Sequence, residues 1–122
     1  AFMPGEITLV FKKKDSASNT FTSGKNTIGI RVPNDIFVQK MLQLTGPMLV
    51  TSANLSGQDS FTSDEEVMTQ FNHQIGLIVK GKSNGLVAST VVDVSNEEIK
   101  ILREGMITKE EIEEVVYENC NR

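Results

Sequence analysis

The segment Leu49-Val50-Thr51-Ser52-Ala53-Asn54-Leu55-Ser56-Gly57 constrains this chain most, because an apolar run turns abruptly into small polar residues. Leu49 and Val50 suit a buried strand. Thr51, Ser52, Asn54 and Ser56 then bring hydroxyls and an amide to the point where that strand ends. Short polar side chains hydrogen-bond a ligand or their own backbone, and Gly57 lets the chain turn. Open α/β sheets hold ligands at such strand ends. The same residue types also compose ordinary turns, so both readings stand on the residues alone.

The rest of the chain alternates short apolar runs with capped helices. Ile7 to Phe11, Thr27 to Val32, Met48 to Ser52, Ile75 to Lys80, Ser89 to Val94 and Ile99 to Arg103 each predict a strand. Asn34 or Asp35 caps a helix with Phe37, Met41 and Leu44 on one face, and Gly46-Pro47 stops it. Ser63 and Glu66 have the capping-box spacing for a short helix carrying Val67, Met68 and Phe71. Thr108 and Glu111 repeat that spacing before a last helix, with Ile107 and Ile112 placed as a hydrophobic staple. Residues 15–26 read as a loop or hairpin tip, and Gly81 to Gly85 as a turn. There is no internal repeat, low-complexity segment or linker.

A length of 122 residues fits one domain, spanning 1–122, and 39% hydrophobic with 23% charged residues fits a globular chain. No apolar run is long enough to cross a bilayer, and no leader opens the chain, so nothing points to a membrane or to secretion. The single cysteine, Cys120, makes no internal disulfide and suits a reducing cytoplasm. The net charge of −4 is uneven: Lys and Arg outnumber acids over residues 1–50, and acids dominate beyond. The basic part can face phosphate, but an acidic chain is a poor nucleic-acid binder by itself. Lys12, Lys13 and Lys14 read as a solvated strand end. His73, the only histidine, has no second ligand near it in sequence and reads as structural.

Arg31 and Arg103 both sit at or near strand ends, and arginine suits bidentate recognition of phosphate or carboxylate. With the Thr51–Ser56 groups and Ser89-Thr90 they can converge on an anion; alternatively each makes a surface ion pair of little value. No phosphate loop, dinucleotide fingerprint, metal-binding His-Glu helix or nucleophile–base pair is present. No catalytic residue and no protein metal ligand is assigned, and catalysis would rest on positioning and charge.

Five short motifs occur in order: Pro4-Gly5-Glu6-Ile7-Thr8, Gly29-Ile30-Arg31-Val32-Pro33, Thr51 to Gly57, Ser89-Thr90-Val91-Val92-Asp93 and Ile101-Leu102-Arg103-Glu104-Gly105. The series resembles the YrdC/Sua5 family, the threonylcarbamoyl-AMP synthases, over roughly residues 4–108. The resemblance implies an α/β fold, a mixed twisted sheet with flanking helices around a concave cavity. It implies condensation of L-threonine, bicarbonate and ATP, with Mg2+ accompanying ATP, to threonylcarbamoyl-adenylate and pyrophosphate. A transferase complex then carries the threonylcarbamoyl group to an adenosine of tRNA, in the cytoplasm.

Residue by residue, the resemblance implies that Ser52 and Asn54, following Thr51, hold the nucleotide phosphate or the carbamoyl group. Arg31 and Arg103 would lie on the adenylate side, Ser89 would reach the phosphate, and Thr8 with Pro4-Gly5 would shape the wall. Glu6 stands where the family often has proline, as does Ala88. The family's upstream threonine-contacting segment and Lys-x-Arg motif do not occur here, so the chain reads as an N-terminally incomplete domain, inactive alone. Two other readings are a binding module for tRNA or double-stranded RNA, and a carbamoyl-adenylate domain as in hydrogenase maturation. The acidic charge and the absence of Trp count against the first, and the single cysteine, with no zinc fingers, against the second.

Overall fold

The computed structural model describes residues 1–83 and 88–121. The chain divides into two compact units, Ala1–Met48 with Val87–Arg122, and Leu49–Leu86.

The first unit is built on a four-stranded mixed sheet in the order β2-β1-β3-β4. Strand β1 (Ile7–Lys12) pairs antiparallel with β2 (Thr27–Ile30) through Leu9↔Ile30 and parallel with β3 (Thr90–Asp93) through Ile7↔Thr90. Strand β4 (Lys100–Arg103) closes the other side, antiparallel to β3. The register steps from Val91↔Arg103 to Val92↔Ile101, which leaves Leu102 opposite no residue, the geometry of a bulge.

Side chains alternate across a strand, so Ile7, Leu9, Val92 and Ile101 share one face. That face carries the core. Ile7, Val92 and Ile112 are buried, with Phe2, Met3, Leu9, Val94, Ile101 and Ile107 packed against them. Ile112 belongs to α3 (Lys109–Cys120), whose first turn is closed by the expected capping box of Thr108 and Glu111. Ile107 joins Ile112 in this cluster, as the staple spacing requires. Helix α1 (Ile36–Thr45) starts where Asp35 accepts from the Val38 N–H at 2.8 Å, but its expected packing face stays open: Phe37 and Leu44 are exposed.

The second unit contains α2 (Asp64–Phe71), begun by the expected Ser63–Glu66 capping box. Phe61 packs edge-on against Phe71 at 6.3 Å. A single bridge joins Ser63 to Lys82. Two expected strands are not formed. Residues 48–52 and 75–80 carry no strand pairing, and Val50 and Leu77 are 88% and 78% exposed. Apolar content proposes a strand, but only a neighbour's hydrogen bonds make one, and among the described residues neither run has such a neighbour. Strand β2 also stops at Ile30, short of Val32. Of the turn expected at Gly81 to Gly85, residues 84 and 85 lie outside the described residues, as does the terminal Arg122.

Candidate functional site

The sheet face opposite the core gathers four of the residues singled out from sequence. Thr8 stands across from Val91, and Val91 across from Arg103, so Thr8 and Arg103 lie in one cross-strand row. Ser89 is two residues before Val91 and joins the same face. The Thr8 and Ser89 hydroxyls are 3.4 Å apart. Gly29 pairs with Val10 on this face, and a side chain there would reach 3.3 Å from the Thr8 methyl, so glycine keeps the surface beside Thr8 open. Arg31, two residues beyond Gly29, extends the row past the end of β2.

Both arginines are already engaged. Arg103 donates from Nε and Nη2 to the Ser89 carbonyl at 3.1 and 2.9 Å. This fork fixes the guanidinium over the start of β3 and leaves Nη1 for another acceptor. Arg31 donates from Nη2 to the Glu6 carboxylate at 2.6 Å, with both side chains partly exposed. The Pro4-Gly5 and Gly29–Pro33 motifs meet through Gly5 N–H, which donates to Val32 O at 2.8 Å.

Thr90, expected beside Ser89 among the groups that could converge on an anion, turns inward instead. Thr90 is fully buried, and its hydroxyl accepts from Gly105 N–H at 2.9 Å and Ile107 N–H at 3.1 Å while donating to Ile107 O at 2.5 Å. Gly105 presses against the same segment: a Cβ there would strike the Ala88 carbonyl oxygen and lie 2.8 Å from Thr90 N. Thr90 thereby ties the exit of β4, where Arg103 sits, to the start of β3, where Ser89 sits. Period-two alternation carried the signal. If Ser89 faces outward, Thr90 faces the core, and a core hydroxyl requires partners.

Thr51, Ser52 and Asn54 lie in the second unit, outside any strand. Thr51 and Ser52 are exposed. Asn54 holds its own loop: its amide nitrogen donates to Leu55 O and Gln58 O, each at 2.9 Å, and Gly57 turns the chain at a φ of 83°. The self-satisfied turn is therefore present in this loop. His73, just past α2, is exposed. Lys13 is not simply solvated, since its ammonium bonds Ala17 O and the Asn19 side chain across the β1–β2 loop.

Charge in the second unit is concentrated at the start of α2. Glu66 is held below the ordinary carboxylate range, first by the Thr62 N–H and then by the Ser63 hydroxyl. In the first unit the Asp93 carboxyl is lowered by the Ser95 hydroxyl and N–H and, more weakly, by Lys100.

Residues 1–105 match the Sua5/YciO/YrdC family, described as telomere recombination. The threonylcarbamoyl-AMP synthase of Bacillus subtilis is 38% identical over 118 residues, 94% of this chain and 34% of that protein. The synthase of the same name from Pyrococcus abyssi is 35% identical over 119 residues, 96% of this chain and 35% of that protein. The crystal structure of P. abyssi Sua5 complexed with L-threonine superimposes with a TM-score of 0.87, at 35% identity over 94% of this chain and 34% of that one. The chain thus spans about a third of the length of these relatives.

Proposed function

The chain belongs to the Sua5/YciO/YrdC family, and from that premise we infer that it is part of an L-threonylcarbamoyladenylate synthase. The observation that carries this reading is identity of 35–38% to threonylcarbamoyl-AMP synthases across nearly all of these residues. The reaction joins L-threonine, bicarbonate and ATP into threonylcarbamoyl-AMP and releases pyrophosphate. The product passes to a transferase that modifies tRNA, which makes the cytoplasm the working compartment. Among the described helices none is long and apolar enough to cross a membrane.

The outer sheet face supplies groups suited to an adenylate. The Arg103 guanidinium, pinned on the Ser89 carbonyl, offers a fixed positive charge to a phosphate oxygen. The buried Ser89 hydroxyl and the half-buried Thr8 hydroxyl form a polar pair beside it. Ser52 and Asn54 are assigned to the carbamoyl or phosphate group, with Asn54 setting the loop and Ser52 offering an exposed hydroxyl. Preset donors of this kind accelerate a reaction by meeting developing charge without reorganising. Mg2+ enters with ATP, held by the phosphates. Among the described residues there is no group of three or more His, Cys, Asp or Glu suited to a metal ion.

The test is a segment exchange. This chain replaces the matching third of the B. subtilis synthase, and pyrophosphate release from ATP is followed with and without L-threonine and bicarbonate. Threonine-dependent release by the chimera is expected, and none from residues 1–122 alone. A well-folded chimera that hydrolyses no ATP with threonine would overturn the assignment. A gel shift of residues 1–122 with tRNA that falls steeply with salt would favour an RNA-binding module instead.

A further inference from the structure

The Arg31 guanidinium faces outward beyond β2, in the row of Gly29 and beside the Thr8 end of β1, and its Nη2 is already occupied. Glu6, two residues before Thr8 on the same face, places Oε2 2.6 Å from Arg31 Nη2. Both side chains are partly exposed, at 38% and 45%. An exposed pair of this kind adds little to stability, because water already solvates both charges. The fold does not depend on the Glu6 side chain: the residue joins the sheet through its backbone, whose carbonyl accepts from Thr90 N–H at 3.0 Å. A contact that is short and charge-assisted, yet cheap to open, and that caps an outward guanidinium, has the properties of a competitor.

We propose that Glu6 is a specificity-determining residue that acts as a built-in counter-anion for Arg31, so that an incoming oxyanion gains the Nη2 donor that Glu6 occupies only by displacing its carboxylate. The proposal rests on the synthase reading for its ligands. The oxyanion is the phosphate of an adenylate or the carboxylate of L-threonine, and the two share the bidentate chemistry that a guanidinium recognises. Its consequence is selectivity. A weak anion does not outcompete a tethered carboxylate, whereas a ligand anchored elsewhere on the face by Thr8, Ser89 and Arg103 does, because its other contacts make the exchange effectively intramolecular.

The experiment is a double-mutant cycle read by nuclear magnetic resonance of the arginine side-chain Nε–H groups in residues 1–122. AMP and L-threonine are titrated separately into the wild type, E6Q, R31A and E6Q/R31A. The ligand that uses Arg31 is expected to bind E6Q about two- to fivefold more tightly than wild type, the range set by the small worth of an exposed pair. It is expected to shift the Arg31 resonance, and the gain is expected to vanish in E6Q/R31A. Which ligand shows the effect identifies the source of the oxyanion. Equal affinity of E6Q and wild type, a gain that persists without Arg31, or no Arg31 shift with either ligand would each overturn the proposal. Because the readout is binding at Arg31, a chimera that fails to release pyrophosphate leaves this result standing, and the reverse also holds.

Discussion

The Thr90 hydroxyl and the Gly105 N–H meet at 2.9 Å in the buried seam between the start of β3 and the exit of β4. Gly105 has no side chain because the Ala88 carbonyl and the Thr90 backbone occupy that space. The two residues therefore define how closely the Arg103 and Ser89 ends of the site approach.

Thr90→Val keeps the shape of the side chain and removes three hydrogen bonds, leaving the Gly105 and Ile107 N–H groups and the Ile107 carbonyl without their partner. Stranding buried donors costs about 1–3 kcal/mol. Urea denaturation should show a lower midpoint with an unchanged slope, and Thr90→Ser should recover most of the loss. A valine variant as stable as wild type would show that water or a shifted loop satisfies these groups.

Arg103→Ala removes a guanidinium that clamps the Ser89 carbonyl and, in the proposed function, meets the nucleotide. In a full-length chimera calorimetry should show ATP binding weakened by about 1.5–3 kcal/mol, the worth of a charge-assisted contact. Arg103→Lys should restore charge but not the two-pronged bond, and so only part of the affinity. Wild-type affinity in a folded alanine variant would remove Arg103 from the site.

Glu66 ties the start of α2 through its carboxylate, which accepts from Thr62 N–H at 2.9 Å and Ser63 N–H at 3.1 Å. Its folded value lies below the ordinary 4.5, so its contribution is present above that value and is lost as pH falls through the lowered folded one. Amide exchange in the first turn of α2 should accelerate only in that acid range, and Glu66→Gln should flatten the dependence. An exchange profile for Glu66→Gln that still follows pH as in the wild type would assign the effect to another group.

Large apolar side chains are exposed in both units, among them Leu44 at 89% and Val50 at 88%. Apolar surface of this extent promotes association. Light scattering on purified residues 1–122 should show mass rising with concentration, and the longer chimera should stay monodisperse. A strictly monomeric chain at high concentration would show that these side chains pack differently in solution.

Helix starts were legible in the sequence because their chemistry is local. Asp35, Ser63 and Thr108 each reach an N–H three residues away, and Glu66 and Glu111 reach back over the same distance. Strand pairing is not local. Ile7 pairs with Thr90, a choice no window of a few residues contains, and the parallel β1–β3 contact is what brings Thr8 to Ser89. The runs at 48–52 and 75–80 are as apolar as β1, yet they remain irregular, since a strand exists only where another backbone completes its hydrogen bonds. The sequence by itself determined the caps, the helices and the residue types of the site. Tertiary structure alone decided which apolar runs became strands, that the Thr90 hydroxyl would lock the β4 exit, and that Arg31 would be held by Glu6.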